Sequence, residues 1–143
     1  MEPLRLNYTV DGSDYTSAGE ASADVKRVLK QLGLPPAVIR KVSICMYEGE
    51  INMVIHGGGG IAGVSVSEDA VTIVLADQGP GIADIDQAMQ EGWSTASETA
   101  RDLGFGAGMG LPNMKRYSDE MTIDSTVGVG TTVTMRVGLH TGA

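Results

Sequence analysis

Asp77-Gln78-Gly79-Pro80-Gly81-Ile82 is followed, after a polar run through Trp93, Ser94 and Thr95, by Gly104-Phe105-Gly106-Ala107-Gly108-Met109-Gly110-Leu111. Two glycine clusters therefore flank a stretch with little apolar periodicity. Just upstream, Val71, Ile73, Leu75 and Asp77 fall on alternate positions, the period of a strand, so the first cluster leaves a strand that ends in a carboxylate. The second cluster opens a helix, where free backbone N–H groups and the positive end of the helix dipole favour a phosphate. Together they point to a nucleotide held at both ends, with the polar run between them as a lid.

Working outward, residues 61–67 and 71–77, separated by Glu68-Asp69-Ala70, read as an antiparallel hairpin. If Val71, Ile73 and Leu75 face the core, Asp77 carries its carboxylate to the same side. A buried ionised carboxylate costs several kcal/mol unless it finds donors. An adenine amino group is one such donor; the N–H groups of the following turn are the other, and spacing alone leaves both open. Beyond Gly81, residues 82–90 can form a short helix with Ile82, Ile85 and Met89 inward. A further helix is expected over 111–117, with Pro112 tolerated in its first turn and Lys115 and Arg116 near its end. Strands 121–125 and 131–137 close the chain around Val127-Gly128-Val129-Gly130, and the tail from His140 is expected to fray.

On the other side, Leu4, Leu6, Tyr8 and Val10 alternate with polar neighbours and predict a first strand over 4–10. Asp11-Gly12-Ser13-Asp14 turns the chain. Ala18, Ala21, Val25, Val28, Leu29 and Leu32 then recur mostly at helical spacing, predicting a helix over 16–32 with Gly33 just beyond it. After Pro35-Pro36 a second helix should run from Pro36 or Ala37 to His56. Its core face is Val38, Val42, Cys45, Met46, Gly49 and Met53. Glu48 and Asn52, at i and i+4, share its flank. A random pair at that spacing is usually solvated, but a mid-helix glycine costs roughly 1 kcal/mol against alanine. Gly49 therefore marks a place where a backbone or a ligand comes close. Asn52 could offer its amide oxygen to a magnesium ion, and Glu48 would stand beside it as a base. Gly57-Gly58-Gly59-Gly60 reads as a helix cap and a linker to the sheet.

Composition limits what such a chain can do. At 143 residues it is one domain's worth, with enough apolar content, 42%, to form a core without disulfides. A formal charge of -8 argues against nucleic acid or an anionic membrane as partner. Cys45 is the single cysteine, and the sequence carries neither a leader pattern nor a membrane-length apolar run, so a cytoplasmic location is expected.

Four stretches now stand in a fixed order: Glu48-x-x-x-Asn52 on a helix ending Ile55-His56-Gly57, Asp77-x-Gly79-x-Gly81, Gly104-x-Gly106-x-Gly108-x-Gly110-Leu111, and Gly128-x-Gly130-Thr131. In this order the chain resembles the GHKL, or histidine kinase-like, ATPase superfamily from about residue 36 onward. Its length, together with Gly92-Trp93-Ser94-Thr95 and Gly110-Leu111-Pro112, is similar to the small bacterial anti-sigma factors and switch serine kinases, the RsbW and RsbT group.

The resemblance implies a single domain over 1–143 with a Bergerat-type fold: an α/β (α+β) two-layer sandwich whose mixed, mostly antiparallel sheet is covered on one face by helices. It implies a Mg-ATP site in which Asp77 accepts from the adenine amino group, Gly79 and Gly81 let the backbone close around the base, and Thr131 lies near it. Gly106, Gly108, Gly110 and Leu111 would form the phosphate end, Asn52 would hold the magnesium, and Glu48 would be the catalytic base. The implied activity is that of an anti-sigma regulatory factor and serine/threonine protein kinase. Its substrate would be a STAS-type anti-anti-sigma protein, with a sigma factor or a phosphatase as second partner and a homodimer as assembly. Arg101 stands three residues before Gly104, not against the glycine run as a phosphate-reaching cation of such kinases would. Two other readings compete: a nucleotide-dependent binding module that regulates its partner without phosphotransfer, and the catalytic piece of a histidine kinase. The 35 residues ahead of the second helix leave no room for the dimerisation helices that the latter requires.

Overall fold

The structure, a computed structural model, describes residues 4–13, 17–56, 58–82, 85, 89 and 110–139. The expected lid, Gly106, Gly108, Arg101 and the tail from His140 lie outside the described residues, as does most of the expected short helix after Gly81. The elements run β1 (Leu4–Asp11), α1 (Glu20–Gln31), α2 (Pro36–Ile55), β2 (Gly59–Val66), β3 (Ala70–Asp77), α3 (Gly110–Tyr117), β4 (Glu120–Thr126) and β5 (Gly130–Gly138).

The strands form one sheet in the order β1-β2-β3-β5-β4, and each pairing among the described residues is antiparallel. Alternation decides which side of the sheet is covered. Ala62, Val64, Val71, Ile73, Leu75, Val133, Met135 and Val137 are buried under the helices, while Ile61 and Val74 stand on the opposite face and are exposed. The helical layer is built on α2, whose buried face includes Val38, Val42, Cys45, Met46, Gly49 and Met53, the positions read from spacing. The fold is therefore the two-layer sandwich the resemblance implies, with a sheet that is antiparallel throughout among the described residues instead of mixed.

Two local devices set the helices in place. α1 ends as its sequence asks: Gly33 takes φ +73° and Leu34 N–H returns 3.3 Å to the Leu29 carbonyl. Its start differs from the expectation. The helix begins at Glu20, four residues late, and Gly19 at its N-cap has no side chain to cap it. Glu50 of α2 does this work instead. Its carboxylate accepts Gly19 N–H at 2.9 Å, Ala21 N–H at 3.3 Å, Ser22 N–H at 2.9 Å and the Ser22 hydroxyl at 2.6 Å. Glu50 is 3% exposed, so these donors, aided by the positive end of the α1 dipole, make its burial tolerable.

The glycine in the middle of α2 has a plain packing reason. A Cβ at Gly49 would run into the Cδ1 of Leu75 on β3 and sit 3.4 Å from the Met114 sulfur on α3. The close neighbour is thus a core side chain, not the backbone or ligand expected from the sequence.

Candidate nucleotide site

The site is assembled from α2, the end of β3, the β4–β5 hairpin and the start of α3. α2 lies across β3 with Gly49 over Leu75, which leaves its Glu48–Asn52 flank turned toward α3. There Asn52 meets Gly110, the first residue of α3: a Cβ on Gly110 would lie 2.8 Å from Asn52 Oδ1 and 2.9 Å from Nδ2. One turn away, Glu48 is hydrogen-bonded by Asn113. The i, i+4 pair on α2 therefore faces an i, i+3 pair on α3. Both Glu48 and Asn52 are half-buried. Burial pushes the Glu48 carboxyl above its ordinary value, and the Asn113 hydrogen bond pulls it partly back.

At the other end, Asp77 closes β3 with its carboxylate half-buried. Oδ1 accepts Gly79 N–H at 3.0 Å and Thr131 N–H at 3.1 Å. One oxygen thus takes a donor of the following turn, Gly79, as the alternative to adenine read from the sequence, together with a donor from β5 that the sequence did not offer. Among the described residues the second oxygen, Oδ2, accepts no hydrogen bond.

The turn after Asp77 is fastened to the β4–β5 hairpin. Gly81 has φ +77° and its Cα faces the Thr126 carbonyl, 2.5 Å from where a Cβ would be; only glycine combines that dihedral with that approach. Gly130, at φ +150°, is equally pressed against the Asp77 carbonyl. Gly128 N–H donates to the Pro80 carbonyl at 2.9 Å and Ile82 N–H to the Ser125 hydroxyl at 2.7 Å. Ser125 and Thr131 stand directly opposite each other in the β4–β5 register, with their hydroxyl oxygens 2.8 Å apart.

Of the residues singled out from sequence, Asp77, Gly79, Gly81 and Thr131 come together at one end, and Glu48, Asn52, Gly110 and Leu111 at the other. The Leu111 side chain is buried in the core, so its backbone N–H in the first turn of α3 is what it can give a ligand. Asn113 and Ser125 were not singled out. Asn113 carried no distinguishing signal in sequence, but Ser125 did: pairing the last two strands around Gly128-Val129 sets it opposite Thr131. His56, at the C-cap of α2, is held below its ordinary pKa by burial, and buried Cys45 is pushed up to about 12 chiefly by desolvation, which makes it an inert thiol.

This pairing of a carboxylate-and-glycine turn with an amide facing a glycine helix start agrees with the nucleotide reading of the sequence. The chain belongs to the family described as histidine kinase-like ATPase domain, whose model matches residues 13–137. Curated relatives include the serine/threonine-protein kinase RsbT of Bacillus subtilis, 32% identical over 112 residues covering 76% of this chain and 78% of the relative. An anti-sigma F factor of a Thermoanaerobacter species is 35% identical over 102 residues, 68% of each chain. Among solved structures, a chain carrying the RsbU and RsbW domains of a Mycobacterium tuberculosis protein superposes with a TM-score of 0.63 at 18% identity. That match covers 94% of this chain and 32% of the longer one, and it speaks to the fold. Among the described residues, no helix is long and apolar enough to cross a membrane.

Proposed function

We propose that residues 1–143 form one domain that binds Mg-ATP and transfers its terminal phosphoryl group to a serine or threonine of a regulatory partner protein of the STAS-type, anti-anti-sigma kind, in the cytoplasm. The observation that carries this reading is the meeting of Asn52 with Gly110 at the start of α3, with Glu48 on the same edge. A bare helix start lined by an amide oxygen fits a phosphate with a hard cation beside it. The absence of a Cβ at Gly110 lets the Asn52 amide lie against the helix start.

Asp77 Oδ2 accepts the adenine amino group while Oδ1 stays on Gly79 and Thr131, so the pocket's shape does not depend on the ligand. Gly79 and Gly81 bring the backbone close to the base. Asn52 holds the magnesium, whose charge offsets that of the phosphates when bound. Backbone N–H groups of Gly110 and Leu111, with Gly106 and Gly108, receive the phosphate oxygens. Glu48 takes the proton from the partner hydroxyl as its oxygen bonds to the γ-phosphorus and the bond to the β–γ bridging oxygen breaks, releasing ADP. Transfers of this kind depend mainly on positioning and charge neutralisation, and a carboxyl lifted by burial is better matched to a base role near neutral pH than an ordinary one. A sigma factor or a phosphatase as second partner, and a homodimer as the assembly, complete the reading.

The test is incubation of the chain with labelled Mg-ATP and a STAS-type partner. An acid-stable phosphoserine or phosphothreonine on the partner supports the kinase. An acid-labile label indicates histidine chemistry, and nucleotide-dependent binding without a label indicates a regulatory module. Glu48→Ala should abolish transfer while leaving ATP affinity intact; loss of both together would count against Glu48 as base.

A further inference from the structure

α3 lies antiparallel along α2, and the contacts between the two helices step in order. Asn52 meets Gly110, and Cys45 Sγ lies 3.7 Å from the Met114 carbonyl. Between those two points Asn113 reaches Glu48 and is, among the described residues, the one hydrogen-bond partner of its half-buried carboxylate. An ionised carboxylate only accepts, so the amide N–H of Asn113 donates. The cations of α2 are engaged elsewhere: Lys41 pairs with Asp119 at 3.8 Å, and the Arg40 guanidinium lies 6.0 Å from the centre of the Tyr117 ring. Those of α3, Lys115 and Arg116, are exposed near its far end. The turn that carries Asn113 is itself anchored, because Met114 is 1% exposed and its sulfur would lie 3.4 Å from a Cβ on Gly49.

We infer that Asn113 is a positioning residue for Glu48: it holds the carboxylate at a fixed reach from the phosphate end of α3. This rests on the kinase reading above and adds to it what sets the distance between base and phosphate. Glu48 leaves α2 on a long, rotatable side chain, so its place on the helix does not by itself place its carboxylate. Asn113 follows Gly110 by three residues, about 4.5 Å along the helix axis. One turn of α3 therefore offers backbone N–H groups to a phosphate at its start and a side-chain donor to the base at its end, and the two are held in the same anchored turn. The donated hydrogen bond also favours the ionised carboxylate, the form a base must have. A neutral amide does this without adding a charge that would compete for the phosphates.

The experiment measures Mg-ATP affinity and the single-turnover rate of transfer to a STAS-type partner protein, for the full chain and for Asn113→Leu, Asn113→Asp and Asn113→Gln. Affinity should stay at the parent's value in all three, because the backbone donors of α3 are unchanged. Transfer should slow about tenfold in Asn113→Leu, the scale of one hydrogen bond. It should slow further in Asn113→Asp, which keeps the shape but sets one carboxylate against another, and which remains informative if the leucine variant does not fold. Asn113→Gln keeps the donor on a longer arm and should transfer faster than Asn113→Leu. Transfer by Asn113→Asp at the parent's rate would show that the residue only fills space, and an equal fall of affinity and rate would show that it serves the fold or the phosphate end. Either result overturns the inference while leaving the kinase standing. A parent chain that binds Mg-ATP and labels no partner overturns the kinase reading and this inference with it.

Discussion

At the residue scale, the Glu48 carboxyl is raised chiefly by desolvation and lowered in part by Asn113. As a base it must be ionised, so phosphoryl transfer should fall as pH drops through that raised value. Glu48→Gln should remove this acid limb along with transfer, and a pH–rate profile in single turnover checks it. The same shift has the opposite sense for stability. Burial disfavours the ionised form, so what protonated Glu48 contributes is present below its unfolded pKa and is lost as pH rises through its higher folded one. Gly110 offers a separate probe: Gly110→Ala puts a methyl 2.8 Å from Asn52 Oδ1, which pushes that amide aside. Affinity for Mg-ATP should drop about tenfold, with much less effect on nucleotide binding measured in EDTA. Equal losses with and without magnesium would separate Asn52 from the metal.

At the element scale, α2 is the beam between the two halves of the molecule, and it works on three sides. Gly49 seats it on Leu75, Glu48 and Asn52 face α3, and Glu50 reaches the start of α1. Glu50→Ala removes one acceptor from four buried or half-buried donors and should cost about 2–4 kcal/mol, visible as a lower urea midpoint. Gly49→Ala would gain helix propensity, yet the overlap with Leu75 should make it destabilising by about 1–3 kcal/mol. A neutral or stabilising result would show that Leu75 can move.

The same beam shows what could be read in advance. Spacing located α2, its core face and the Glu48–Asn52 edge, because helix periodicity is a local property of the sequence. The role of Glu50 was not legible, since the donors it satisfies lie about thirty positions away and no periodicity reports a side chain capping another helix. Gly49 was recognised as a close approach, but only the tertiary packing identifies Leu75 as what approaches.

At the scale of the whole molecule, alternation along the strands gave the covered face correctly, and the strand bounds fall within two residues of those read from the pattern. In the order β1-β2-β3-β5-β4, β2–β3 and β4–β5 are hairpins that sequence can suggest, whereas β1–β2 and β3–β5 are paired across intervening helices, and the β3–β5 pairing depends on where the segment carrying α3 returns the chain. That return is what brings the two ends of the site together. The turn after β3 is pinned, with Gly81 against Thr126 and Gly130 against Asp77, so that end of the proposed site is preformed and ligand energy would not be consumed in ordering it.

The measurement that bears most directly on the nucleotide site is thermal unfolding of the parent chain and of Asp77→Asn with Mg-ATP, Mg-ADP and Mg-GTP. At a ligand concentration near 100 times the dissociation constant, adenine nucleotides should add about 2.7 kcal/mol and raise the parent's midpoint by on the order of 8 °C. GTP should do neither, and Asp77→Asn should lose the response while still folding. No shift with any nucleotide, or an undiminished shift in Asp77→Asn, would contradict the account.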